Sequence, residues 1–285
     1  MWLEQLTKMC IQFTDAAQIR SKDGVSVYRV KTSSGKSYVL KCFQNESDRR
    51  EIKNYDILRS LGMQTIQIIA STDCAILMED MIHNSSYRLG VADDLNDTSV
   101  AIAVAKWYKL LHARGKEFVR LHGTGMYDET DVITQDHIHK IAETTGTCKN
   151  LIWERIAVNF DQIKKKISLT ERTLTYNDFY YTNLIVARDM KSAFMFDYNL
   201  LGKGYVYSDI RNVTSALGVQ AKAAFLTEYG GYDEKEKFID DVADALVTLH
   251  FACCQNHIPQ WAEKYIEQIE NGYLYSAVER LLQIC

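Results

Sequence analysis

The chain has 285 residues, a mass of 32.7 kDa and a formal net charge of −4 at neutral pH, a size that suits one large domain or two closely associated lobes. Hydrophobic residues make up 47% and charged residues 25% of the sequence, and this ordinary globular composition argues against disorder. Nucleic-acid binding normally requires a basic surplus, so the mildly acidic balance argues against that role.

The sequence shows no apolar run long enough to span a bilayer, and residues 1–8 lack the apolar core of a signal peptide. Its seven cysteines are scattered, odd in number and never spaced as Cys-x-x-Cys. Neither a zinc site nor a disulfide framework is therefore predicted. We expect reduced thiols in a cytoplasmic protein that has no membrane partner.

The first third of the chain is predicted to be rich in β-strands. Strands are predicted at residues 25–30, 37–43, 65–69 and 75–78, which carry β-branched and aromatic residues. The turn-forming run at residues 32–36 joins the first two strands into a hairpin. Residues 47–61 carry an apolar stripe at helical spacing, with Ser47 as the predicted N-cap and Gly62 as the predicted C-cap.

After residue 81 the pattern becomes mainly helical. Helices are predicted at residues 99–113, 135–142, 151–166, 238–251 and 260–283. A β-rich segment at 174–196 interrupts them and contains short strands at 184–186 and 193–196. The pattern predicts an α+β fold with a small β-rich lobe, residues 1–80, and a larger α-helical lobe, residues 81–285, joined by a hinge.

The clearest chemical signal is an aspartate, an asparagine five residues later, and a second aspartate at the end of a short hairpin. These residues are Asp178, Asn183 and Asp197. Phosphoryl transfer requires a carboxylate that orients the attacking hydroxyl and hard oxygen ligands for Mg²⁺. We expect Asp178 to be the catalytic residue, and Asn183 and Asp197 to bind the metal.

This segment resembles the aminoglycoside phosphotransferase and choline kinase family, whose loop reads His-Gly-Asp-x-x-x-x-Asn. Tyr176 and Asn177 replace the His and Gly here, whereas the Asp and Asn match. Asparagine is the non-glycine residue that best tolerates a positive φ, and a tyrosine hydroxyl can hold the loop by hydrogen bonds. The resemblance implies a bilobal protein-kinase-like fold and transfer of the γ-phosphate of Mg-ATP, or of GTP, to a small-molecule hydroxyl.

The resemblance also implies roles for residues in the first lobe. Lys41 would grip the nucleotide phosphates, and Glu51 would pair with it. Glu46 is the alternative partner, because the helix register inferred from sequence is uncertain by one turn. Gly24 would belong to the loop that covers the nucleotide, together with Ser26.

Ser26 lies in the same covering loop, whose single glycine is a weak signal by itself. Glu79 and Met81 resemble the hinge, where backbone groups would meet the adenine edge. Asp209 resembles a structural aspartate that braces the catalytic loop. The resemblance runs from about Gly24 to Asp209.

Two other functions stay open at this stage. A nucleotide-binding regulatory protein with weak catalysis would fit the replacement of His-Gly by Tyr176 and Asn177. A protein kinase is less favoured, because no Ala-Pro-Glu segment or long activation loop follows Asp197. The expected partners are a nucleoside triphosphate and a small hydroxyl acceptor, without nucleic acid or membrane, and the expected state is a monomer or weak dimer.

The acceptor itself is not determined by the sequence, because residues of the acceptor pocket vary freely within one fold. An aminoglycoside, which would mean antibiotic resistance, choline and a sugar all stay open. Carboxylates that could bind a cationic sugar are Asp128, Glu129, Asp131, Glu228, Asp233 and Glu234.

Overall fold

The computed structural model describes residues 2–284, which divide into two compact units. The first unit contains residues 2–115, 176–201 and 212–230. The second unit contains residues 116–175, 202–211 and 231–284. The expected lobe boundary at residue 80 stays a prediction.

A five-stranded antiparallel sheet forms the β-rich part of the first unit. In chain order its strands are β1 (Asp15–Lys22), β2 (Val25–Lys31), β3 (Ser37–Phe43), β4 (Ile68–Ser71) and β5 (Ala75–Glu79). They lie in the order β1-β2-β3-β5-β4. Side chains alternate between the two faces of a strand, and Val30, Leu40 and Leu77 are buried together in the core under one face. The predicted hairpin is confirmed.

Two helices flank this sheet in the sequence. Helix α1 (Trp2–Lys8), which the sequence pattern does not predict, buries Leu6 in the core of the sheet. Helix α2 (Arg50–Ser60) follows a 3-10 turn at Glu46–Arg49 and confirms the helix predicted for residues 47–61. Ser47 lies inside that turn, so its assignment as the N-cap is wrong. Gly62 follows the helix with a φ of +65°, as a C-terminal glycine should.

The remaining strands are short. They are β6 (Tyr87–Leu89), β7 (Thr173–Thr175), β8 (Leu184–Ala187), β9 (Ala193–Met195) and β10 (Gly202–Gly204). Strands β6, β8 and β9 form a sheet in the first unit, and β7 pairs with β10 in the second. The predicted strands at 184–186 and 193–196 are confirmed. The sequence pattern does not predict strands β6 and β10.

Helices account for most of the rest. They are α3 (Thr98–His122), α4 (Gln135–Thr144), α5 (Leu151–Val158), α6 (Phe160–Leu169), α7 (Val206–Ala216), α8 (Val219–Tyr229), α9 (Glu234–Cys253), α10 (Glu263–Glu270) and α11 (Tyr273–Gln283). The helix predicted at 151–166 breaks at Asn159, and the one predicted at 260–283 breaks at Gly272, whose φ is +79°. In the second unit a core that includes Ile152, Ile163 and Leu246 holds the helices together.

The α+β class predicted from the sequence is confirmed by these elements. Among residues 2–284, no helix combines the length and the apolar character that crossing a membrane would require.

Candidate functional site

Lys41, on strand β3, is the centre of a buried network of ion pairs. Its neighbours Leu40 and Cys42 point into the apolar core, so Lys41 projects from the strand away from them. The Lys41 Nζ donates to Oε2 of Glu51 at 2.6 Å and to Oδ1 of Asp197 at 2.6 Å. Lys41 therefore pairs with Glu51, on helix α2, and not with Glu46 in the preceding turn.

Burial and neighbouring charges shift the pKa values of Lys41 and Glu51 in opposite directions. Lys41 is 9% exposed and Glu51 only 1% exposed. Burial by itself lowers the pKa of Lys41, but the carboxylates of Glu51 and Asp197 outweigh it and raise the pKa overall. Burial raises the pKa of Glu51, and the Lys41 ammonium opposes that rise. The lysine thus stays charged.

Asp178 and Asn183 are joined across the loop that precedes strand β8. The amide nitrogen of Asn183 donates to Oδ2 of Asp178 at 2.9 Å and to its carbonyl oxygen at 3.2 Å. Burial, and then the negative charge of Asp197, raise the pKa of Asp178 to about 6. The Asp178 carboxylate is consequently held in one orientation and is a stronger base than an ordinary aspartate.

The two residues that replace the family's His-Gly hold this loop against the segment around Asp197. Tyr176 is fully buried, and its hydroxyl donates to the carbonyl oxygen of Phe196. Asn177 has a φ of +66°, and its amide donates to the carbonyl oxygen of Leu200 at 3.0 Å. The predicted tolerance of Asn177 for a positive φ and the predicted tethering by Tyr176 are both confirmed.

Helix α2 fixes the backbone that follows Asp197. Asp197 itself has left-handed backbone angles, φ +63° and ψ +70°, which are strained for a residue with a side chain. Asn54, on α2, donates from its side-chain amide to the carbonyl oxygens of Tyr198 at 2.7 Å and Leu201 at 3.3 Å. Sequence reasoning missed Asn54, although a polar residue beside the apolar stripe of a helix is a usable signal.

The predicted hinge residues lie at the end of strand β5. Glu79 ends the strand, and Met81 is buried in the 3-10 turn that follows. Between them, Asp80 is buried and accepts hydrogen bonds from Arg29 Nε at 2.6 Å and Ser37 Oγ at 2.7 Å. Burial tends to raise the pKa of Asp80, but these donors hold it below its ordinary value. Asp80 thus ties the predicted hinge segment to strands β2 and β3, a role that the sequence does not reveal.

The turn between β1 and β2 borders a small cavity. Gly24 has a φ of +82°, and a Cβ there would come within 2.4 Å of the Asn45 amide, so the position requires glycine. The cavity has a volume of about 190 Å³, and Lys41 and Asp197 both line it. Ser26 faces elsewhere, and its hydroxyl lies 3.0 Å from the Ser21 hydroxyl.

The second unit contains a separate group of buried charges. Arg211 pairs with Asp240 at 2.5 Å and with Asp244 at 3.0 Å. Burial raises the pKa of the nearby Glu129 to about 8, although Arg211 opposes the rise. Asp209, in helix α7, is fully buried, and its bracing role stays a prediction.

Comparison with known proteins identifies a family and several structures with the same fold. Residues 15–246 match the family APH, described as the phosphotransferase enzyme family. The fold is similar to that of the aminoglycoside phosphotransferase APH(2'')-Ib with ADP bound, at 18% identity and a TM-score of 0.61 over 99% of this chain and 96% of that one. A comparison with curated protein sequences finds no significant match.

Two further solved structures share the fold. Choline kinase LicA from Streptococcus pneumoniae is 16% identical, with a TM-score of 0.57 over 95% of this chain and 97% of that one. Ethanolamine kinase from Plasmodium vivax is 13% identical, with a TM-score of 0.61 over 92% and 84%. The α+β, protein-kinase-like fold expected from the sequence is therefore confirmed.

Proposed function

The chain belongs to the phosphotransferase enzyme family, and from this premise we propose that it transfers the γ-phosphate of Mg-ATP to the hydroxyl of a small acceptor, in the manner of an aminoglycoside phosphotransferase. Phosphotransfer to an alcohol is the family's activity. The observation that carries the proposal is the contact of Lys41 with Glu51 and Asp197 at 2.6 Å each. A bound ADP in a structural neighbour supports ATP as the phosphate donor, with GTP as the alternative.

Asp178 is the proposed catalytic residue. Its carboxylate is oriented by Asn183 and is more basic than usual, so it can accept the proton of the acceptor hydroxyl. The acceptor oxygen then forms the new bond to the γ-phosphorus as the bond to the β-phosphate oxygen breaks and ADP leaves. Lys41 holds the phosphates in place for this step.

Asn183 and Asp197 are the proposed ligands of Mg²⁺. The side-chain hydrogen bonds of Asn183 use its amide nitrogen, which leaves the amide oxygen for a metal ion. Asp197 engages Lys41 through Oδ1, and its carboxylate would supply the second protein ligand. Residues 2–284 contain no group of three or more His, Cys, Asp or Glu with metal-binding geometry, which fits an ion that takes few protein ligands and completes its shell with phosphates and water. When bound, Mg²⁺ offsets phosphate charge.

The remaining proposed nucleotide contacts come from the turn between β1 and β2 and from the segment at the end of β5. Gly24 lets the turn approach closely, and Ser26 contributes through its backbone, because its hydroxyl is engaged with Ser21. The backbone of Glu79 and Met81 meets the adenine edge, and the hydrogen bonds of Asp80 support that position.

An amine-bearing alcohol is the acceptor class to test first. The three structural neighbours named above are an aminoglycoside phosphotransferase, a choline kinase and an ethanolamine kinase, and all three acceptors combine a hydroxyl with a nitrogen cation. A sugar stays an alternative acceptor. The hydrogen bonds by which Tyr176 and Asn177 hold the loop support catalysis, and a nucleotide-binding regulatory protein stays the alternative.

An acceptor screen coupled to ADP release tests the proposal. Aminoglycosides, choline, amino alcohols and sugars are each supplied with Mg-ATP, and we expect transfer to at least one of them. Binding of Mg-ATP without transfer or hydrolysis across the whole panel would instead favour a nucleotide-binding regulatory protein.

We also propose that the protein acts in the cytoplasm as a monomer or weak dimer. The six cysteines within residues 2–284 are all unpaired, as is typical of a reducing compartment. Sedimentation at several protein concentrations measures the oligomeric state, and a concentration-independent larger species would contradict it.

A further inference from the structure

The register of the sheet aligns a second cation with Lys41. Arg20 on β1 lies directly opposite Val27 on β2, and Val27 lies directly opposite Lys41 on β3. Directly paired residues of neighbouring strands share one face of a sheet, so Arg20 and Lys41 project from the same face. Two strand spacings, roughly 10 Å, separate their backbones.

Lys22, two residues after Arg20 on β1, projects from the same face of the sheet. Lys22 lies opposite Val25, and Val25 lies opposite Phe43. Arg20 and Lys22 both line the same cavity of about 190 Å³ as Lys41. The wall formed by the edge strand β1 is therefore cationic.

Carboxylates dominate the rest of this cavity. It is also lined by Asp23, Asp48, Glu51 and Asp197. Together with the three cations they give the lining a formal charge of −1 when every group is ionised. A polyphosphate entering the cavity meets net repulsion unless an uncommitted cation faces it.

Arg20 is the cation that is available. Lys41 is held between two carboxylates, and Lys22 lies 3.5 Å from Asp23. The side chain of Arg20 is exposed and makes no hydrogen bond or ion pair with the other residues that the structure describes, 2–284. A guanidinium can donate two parallel hydrogen bonds to a phosphate, which an ammonium cannot do.

The turn between β1 and β2 has few glycines, so phosphate binding at this side of the cavity needs a side chain. Glycine-rich loops bind phosphates through backbone N–H groups that approach closely. Gly24 is the single glycine of that turn, so fewer of its backbone N–H groups can come close to a phosphate. We propose that Arg20 binds the nucleotide phosphates from the β1 side of the cavity that Lys41 also lines. This inference rests on the proposed function, in which the nucleotide phosphates lie beside Lys41.

The test is the dependence of binding on the number of phosphates. Calorimetric titrations give the Kd of Mg-ATP, Mg-ADP and adenosine for the wild type and for Arg20→Gln. Loss of one charge-assisted contact is expected to weaken Mg-ATP binding about 10-fold. The effect should be smaller for Mg-ADP and absent for adenosine, and Arg20→Lys should recover part of the loss.

The matched control is Lys36→Gln, which removes the same charge from the exposed turn between β2 and β3, away from the cavity. It should leave all three Kd values unchanged, which separates a local contact from a general effect of net charge. Thermal melts check that each variant is folded.

Four results would count against the proposal. Wild-type affinity of Arg20→Gln for Mg-ATP would overturn it, and so would an equal loss of adenosine binding or an equal effect of Lys36→Gln. Absence of Mg-ATP binding by the wild type would overturn the proposed function as well, and is thereby distinguished from failure of the Arg20 assignment alone.

Discussion

The Nζ of Lys41 lies 2.6 Å from Oδ1 of Asp197, although 156 residues separate the two in the chain. The same ammonium contacts Glu51, which is 1% exposed. One cation therefore neutralises two carboxylates, and one of these has almost no access to water. We therefore expect stability and the proposed nucleotide binding to depend on the same three side chains.

We expect Lys41→Met to lower the free energy of unfolding by about 3–5 kcal/mol, because it leaves the buried Glu51 carboxylate without its cation. Urea denaturation measures the loss, and Mg-ATP binding should disappear as well. Adding Glu51→Gln to Lys41→Met should restore part of the stability, because the buried charge is then gone. A single variant as stable as the wild type would contradict the buried network.

Asp178→Asn should lower kcat by about 10²–10⁴-fold, because the amide cannot accept the acceptor's proton. The Kd of Mg-ATP should change little, since Lys41 and Asp197 remain. The control is Asp189→Asn, the same change at an exposed turn between β8 and β9. A near-normal turnover of Asp178→Asn would show that Asp178 is not the catalytic residue.

Asn177 offers a direct test of backbone strain, because its φ is +66°. Asn177→Ala and Asn177→Gly both lose the amide hydrogen bond to Leu200. Only alanine also has to place a Cβ in the left-handed region, so it should be less stable than glycine by about 1–2 kcal/mol. Equal melting temperatures for the two variants would mean that the loop has relaxed to a negative φ.

Asn54→Ala should raise the Mg²⁺ concentration needed for half-maximal activity, because Asn54 holds the backbone that follows Asp197. The unfolding free energy should fall by about 1–3 kcal/mol, since two carbonyl oxygens lose their donor. Lys53→Ala, an exposed change on the same helix, is the control. A loss of stability with an unchanged Mg²⁺ requirement would reduce Asn54 to a purely structural role.

Glu129 should make stability depend on pH. Its pKa is about 8 in the folded protein, against 4.5 for an ordinary glutamate, because desolvation disfavours the charged carboxylate. Between these values the folded state binds more protons than the unfolded state, so stability contributed by Glu129 falls as the pH rises through that window. Denaturation at about pH 5 and about pH 8 should show a weaker pH dependence for Glu129→Gln than for the wild type. The exposed control Glu154→Gln should keep the wild-type dependence, and an unchanged slope in Glu129→Gln would contradict the shift.

Local sequence patterns were sufficient for the elements that carry the site. The strands predicted at 25–30 and 37–43 lie within β2 and β3, and the helix predicted at 47–61 contains α2. Asn177 was expected to accept a positive φ from its residue type alone, and it has one. Periodicity and backbone preference depend on near neighbours in the chain, so they can be read without the fold.

The limits of that reasoning appear at helix boundaries. The segments 151–166 and 260–283 have continuous apolar periodicity, yet each breaks into two helices. The break at Asn159 is not marked by glycine or proline. Where a helix must turn is decided by the core that both of its halves share.

By itself, the sequence determined the types and order of the reactive residues, from Lys41 and Glu51 to Asp178, Asn183 and Asp197. Only the tertiary structure decided that Lys41 meets Asp197. The register that aligns Arg20 with Lys41 likewise depends on pairing between strands. The physical reason is that a side chain's chemistry and its preferred backbone angles are local properties, whereas the partner of a buried charge is set by whichever distant elements pack around it.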